Sequence, residues 1–167
     1  MSAKRITRIA LFTAVSLLLS LVESALPPLL PFAPGAKMGL SNLAVLAAVI
    51  FLGYGDAFIV LALRCMLACA FAGNPSALVY AVPAGIVSLS AEILLYHFLY
   101  KRVSIVGVSF IGALLHNGVQ VAVASAIVKT NLALMLPYML GASVIAGTFI
   151  GIATFLLVKY MPKKAYK

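Results

Sequence analysis

The sequence predicts an all-α integral membrane protein, a six-transmembrane-helix bundle with both termini cytoplasmic, and three observations carry that expectation. Of 167 residues, 65% are hydrophobic and only 9% are charged, where a soluble domain keeps about a quarter of its residues charged. Apolar runs approaching the roughly 20 residues that cross a bilayer recur along most of the chain and leave no length for a soluble domain. Basic residues gather in the short flanks of those runs, which is how membrane orientation is set. The expected organisation is a single transmembrane domain over residues 1–167.

The first helix is expected at about residues 6–26, after Lys4, Arg5 and Arg8. A charged start before an apolar run also describes a signal peptide. Here the run is long, Glu23 interrupts its end, and Pro27-Pro28 replaces a small-residue cleavage site, so an uncleaved helix is expected. Pro27, Pro28, Pro31 and Pro34 then make a connection that cannot be helical, ending in Gly35-Ala36-Lys37, because proline lacks the donor a helix needs. Helix two is expected at about 38–52, closed by a Gly53-Tyr54-Gly55-Asp56 turn. Helix three follows at about 57–72, and Gly73-Asn74-Pro75 marks the next turn. Helices four, five and six are expected at about 76–100, 103–128 and 134–160. Pro83 and Pro137 are the candidate kink sites.

With the N-terminus inside, nine basic residues (Lys4, Arg5, Arg8, Lys101, Arg102, Lys159, Lys163, Lys164, Lys167) face the cytoplasm and two (Lys37, Lys129) face out. That asymmetry fixes the expected orientation. The net charge of +9 is therefore read as topology. Nucleic-acid binding would need a basic stripe interleaved with aromatics on a folded surface, which is absent. Cys65 and Cys69 share one helix face, where a disulfide is awkward, and are expected as small buried residues.

Polar residues inside apolar runs require a purpose, since an ionisable side chain at mid-bilayer costs roughly 2.5–3.5 kcal/mol on insertion scales. Glu23, Asn42, Tyr80 and Tyr138 are expected near the outer ends of helices one, two, four and six. Arg64 falls mid-span on helix three. His116, Asn117 and Gln120 cluster on the outer half of helix five, with His116 and Gln120 sharing a face. Lys37 and Asn74 lie in outer loops, and Glu92 stands apart, nearer the cytoplasmic end. Together these residues describe a pocket open to the outside and suited to a polar or anionic solute. The plainer alternative is that Arg64 pairs with Glu23 while the amides join helices. A second pattern is small residues at four-residue spacing: Ala10 and Ala14 on helix one, as a candidate docking face, and Ala142, Ala146, Gly147 and Gly151 on helix six, better read as internal packing.

Catalysis is not expected. The chain has no GxxxxGK[ST] phosphate loop, no Cys/His metal spacing and no nucleophile with a relay, and neither a metal nor a cofactor is expected. Its acidic residues number three, with Asp56 the sole aspartate, too few for a magnesium–diphosphate site.

The stretches Pro34-Gly35-Ala36-Lys37-Met38-Gly39-Leu40-Ser41-Asn42 and His116-Asn117-Gly118-Val119-Gln120, with Glu23 before the proline loop, Arg64 and Gly73-Asn74, resemble one family along essentially the whole chain. It is the Gx transporter, or heptaprenyl diphosphate synthase component I, family, grouped by fold with the substrate-binding S components of energy-coupling factor (ECF) transporters. The resemblance implies a multi-pass protein of a bacterial plasma membrane that captures a vitamin or similar micronutrient from outside. It implies as partners an ECF transmembrane coupling protein and two cytoplasmic ATPases, with Ala10 and Ala14 as the docking face and the loop bearing Lys37 as a lid. It leaves open an accessory, non-catalytic role beside a prenyl diphosphate synthase, or in a flavin- or quinone-linked membrane redox system.

Overall fold

A computed structural model describes residues 2–25, 40–72, 76–99, 102–129 and 132–160. The proline connection with Lys37, the 73–75 turn with Asn74, Lys101 and the C-terminal lysines lie outside the described residues. Six α-helices follow in order, with no strand among the described residues: α1 (Ala3–Ala25), α2 (Ser41–Phe51), α3 (Tyr54–Ala72), α4 (Ser76–Leu99), α5 (Ile105–Val128) and α6 (Leu136–Tyr160), the last preceded by a 3-10 turn at Ala133–Met135. Five of them are long and apolar enough to cross a bilayer, and the chain is a multi-pass membrane protein.

The exception is α2. Its 11 residues span only about 16 Å at the helical rise, half the hydrocarbon thickness of about 30 Å. It is apolar on every side, and Ala44 through Val49 are all no more than 2% exposed, the pattern of a helix enclosed by others. The contacts agree. α2 packs on α1, α3, α4 and α6, and the chain closes around it through α1–α3, α3–α4, α4–α5 and α5–α6. α1 and α6 meet at most glancingly.

Local chemistry explains most boundaries. Gly53 adopts φ +95°, the left-handed geometry glycine tolerates, and the chain turns there between α2 and α3. The expected four-residue turn is shorter than anticipated, because α3 starts at Tyr54 and takes Gly55 and Asp56 into its first turn. Asp56 is held there by Arg5, whose Nε lies 2.9 and 3.0 Å from its two oxygens and whose second nitrogen lies 2.5 Å from Oδ1. Ser104 caps α5 by accepting from the Gly107 N–H at 3.2 Å, the bond that satisfies a free first-turn donor. Pro137 falls in the first turn of α6, where no ladder bond is lost, so among the described residues only Pro83 lies in a helix interior.

The small residues of helix six are internal packing. A side-chain carbon on Gly147 would stand 2.8 Å from the Phe110 Cα, and one on Gly151 would stand 2.6 Å from the Val106 Cα, so both glycines let α6 lie directly on α5. Ala142 and Ala146 are buried on the same face. Ala10 and Ala14 are exposed on α1. Of the cysteines, Cys65 is buried and Cys69 half-buried, and neither is in a disulfide.

Candidate functional site

Polar side chains converge around the N-terminal end of α2. Ser41, its first residue, takes two bonds: its carbonyl accepts from Ser16 Oγ on α1 at 2.9 Å, and its hydroxyl accepts from the Arg64 guanidinium on α3. Asn42, the next residue, donates from Nδ2 to Glu92 Oε1 on α4 at 3.1 Å. Arg64 is 7% exposed, Asn42 8%, Glu92 0%. The Arg64 charge acts on both Glu92 and His116 of α5, so the four helices α2, α3, α4 and α5 share one electrostatic centre.

Glycine makes the room. At Gly112 on α5 a side-chain carbon would overlap the Glu92 carboxylate and stand 2.6 Å from its Cγ. Ser88, one turn before Glu92, donates to the Gly112 carbonyl at 2.9 Å. The notch and the buried carboxyl are two halves of one fit, on helices that pack along most of their length.

The centre is incompletely satisfied. Arg64 Nε, Glu92 Oε2 and His116 Nδ1 are enclosed and make no hydrogen bond to the protein. Each orphaned buried group costs about 1–3 kcal/mol, and such groups in a native fold require an explanation, such as a water, an ion or a ligand. These three stand on α3, α4 and α5 in the same electrostatic neighbourhood.

The candidate residues divide accordingly. Arg64 and Asn42 come together through Ser41 and Glu92 at the start of α2, with His116 near enough for the Arg64 charge to act on it. Glu92, expected apart from the cluster near the cytoplasmic end, belongs at its heart. The physical reason is that Asn42, at the start of α2, bonds to the Glu92 carboxyl. Gln120 joins through its own helix, its Nε2 standing 3.2 Å from His116 Nε2. Asn117 turns the other way, to Ser143 Oγ at 2.7 Å and the Met139 carbonyl at 3.4 Å on α6, and fastens α5 to α6. Tyr138 is 58% exposed and points out of the bundle, while Tyr80 is half-buried. Glu23 is buried at the far end of α1. Lys37 and Asn74 lie outside the described residues. Ser41 and Ser16 escaped sequence reasoning, since buried serines are ordinary in helices; the Ser41-Asn42 pair opening a helix after a proline loop was the available signal.

Among the described residues no group of three or more His, Cys, Asp or Glu side chains could hold a metal ion. In comparisons with known proteins, a family model described as heptaprenyl diphosphate synthase component I matches residues 12–157. No curated protein matches the chain.

Proposed function

This chain belongs to the heptaprenyl diphosphate synthase component I family, and from that premise we propose a membrane component, without catalysis of its own, that captures a small polar solute at the Arg64–Glu92–His116 centre. The observation that carries this reading is the trio of enclosed, unsatisfied atoms, Arg64 Nε, Glu92 Oε2 and His116 Nδ1. A solute offering an acceptor to the guanidinium and a donor to the carboxyl oxygen completes them. Because Glu92 offsets Arg64, the favoured solute carries both donor and acceptor groups, and a bare anion fits less well than the outer-pocket reading implied. Asn42 and Ser41 orient the two charged groups, and Gln120 orients the imidazole.

In the same reading the bundle has six spans, and both termini face the cytoplasm. It serves as the S component of an ECF-type uptake system, with entry from outside under the loop bearing Lys37. Ala10 and Ala14, exposed beside Leu11 and Leu18 on α1, are the contact face for the coupling protein, and two cytoplasmic ATPases supply the energy.

The test is a thermal-shift screen of the purified chain against polar metabolites, with hits followed by native mass spectrometry of mildly solubilised protein. A hit that stabilises the wild type and is lost in Arg64→Ala and Glu92→Gln supports capture. Absence of any hit across a broad screen sinks it. The family's description favours a second reading, an accessory subunit of a prenyl diphosphate synthase. Co-purification of a soluble synthase subunit, with no ATPases, selects that reading. Loss of electron transfer on deletion, with vitamin uptake unchanged, selects a redox accessory role.

A further inference from the structure

We propose that a cleft at the N-terminal end of α1 binds the phosphate head of an anionic amphiphile, its tail lying along an adjoining apolar wall. The cleft encloses about 480 Å³ between the start of α1 and the α2–α3 turn. Lys4, Arg5 and Arg8 line one side, and Phe51 and Leu52 line the other. It is a different place from the polar centre, and independent of it.

Charge gives the cleft its preference. Arg5 is committed to Asp56, which neutralises it and fixes its guanidinium as part of the wall. The two other acids of the chain lie elsewhere: Glu92 is enclosed in the bundle centre, and Glu23 stands 18 residues along α1 from Arg5, about 27 Å at the helical rise. Among the described residues no carboxylate is bonded to Lys4 or Arg8, so the cleft carries two uncompensated cations. Opposite them there is room for a bulky anion, since the positions a side chain would take on Gly53 and Gly55 have nothing within 4 Å.

The lining also says that the anion carries a tail. Phe51 is 7% exposed and stacks toward Phe12 of α1 at a ring separation of 6.1 Å. On the same face of α1 as Lys4 and Arg8, two turns further on, stand Leu11 and Val15, 62% and 41% exposed. A free phosphate would use only the cations; an amphiphile uses both surfaces. Ordinary topology-setting cations need no cleft and no oriented guanidinium.

The full chain, reconstituted in phosphatidylcholine nanodiscs, is challenged in one arm with phosphatidylglycerol and in the other with farnesyl diphosphate, with bound amphiphile counted by native mass spectrometry. At least one is expected to be retained by the wild type, less so at high salt. Lys4→Gln/Arg8→Gln weakens retention about tenfold or more, the effect of two interfacial cations. Lys159→Gln, the same kind of charge change on α6, leaves it within about twofold. Retention in the first arm assigns the phosphate to a bilayer lipid, and in the second to a prenyl carrier. Retention of neither amphiphile, or equal weakening by Lys159→Gln, overturns the proposal.

Discussion

Glu92 is the residue on which the interior turns. A carboxyl group with no exposure survives in a membrane bundle only when other groups answer it. Asn42 answers one oxygen, the Arg64 charge acts across the site, and Gly112 vacates the space. Gly112→Ala is therefore expected to destabilise the detergent-solubilised protein by about 1–3 kcal/mol, the usual range for overpacking, and Glu92→Ser in that background recovers part of the loss. Thermal melts of the single and double variants check this, and a wild-type melt for Gly112→Ala refutes it. At the other end of the molecule, Arg5 and Asp56 act as a unit. Arg5→Gln and Asp56→Asn are expected to shift the melt alike, and the double variant no further, since each single change already breaks the pair. Sequence reasoning singled out Arg64, His116, Asn117 and Gln120, because polar groups in apolar runs are conspicuous, but could not show that Asn117 bonds to α6. It left Glu92 outside the cluster, because position along α4 does not show which side chain of α2 its carboxyl meets.

Among the elements, the helices were legible and their depths were not. Apolar length and glycine–proline punctuation locate all six to within about three residues at each described end. They cannot show that α2 is short and enclosed, since a uniformly apolar segment reads the same in lipid as in a bundle core. Nor does a four-residue spacing of small residues say which neighbour they meet. The structure decides that for α6, where Gly147 and Gly151 abut the α5 backbone. Gly151→Leu is expected to pry the pair apart and destabilise the protein by on the order of 1–3 kcal/mol, seen as a lower melting midpoint. Gly141→Ala, at a position with open space around it, is expected to leave stability unchanged or slightly raised, alanine being the better helix former. Parallel melts compare the two, and equal losses refute the seam.

The molecule as a whole inverts the soluble pattern. Serines, threonines, Asn42, Arg64 and Glu92 are inside, while Leu18, Phe71, Phe98, Ile145 and Phe149 are among the exposed residues, as expected where the solvent is hydrocarbon. Orientation belongs to this scale. With Cys65 and Cys69 replaced and one cysteine placed at position 2, a membrane-impermeant maleimide is expected to react in inside-out vesicles and not in intact cells; the reverse labelling refutes the cytoplasmic N-terminus. The pairing of Asn42 with Glu92 also bears on biogenesis. Ribosomes deliver α2 and α3 before α4, so the amide and the guanidinium are already in place when the carboxylate emerges, whereas α4 alone, without its predecessors, faces an insertion penalty of roughly 2.5–3.5 kcal/mol for a mid-bilayer acid.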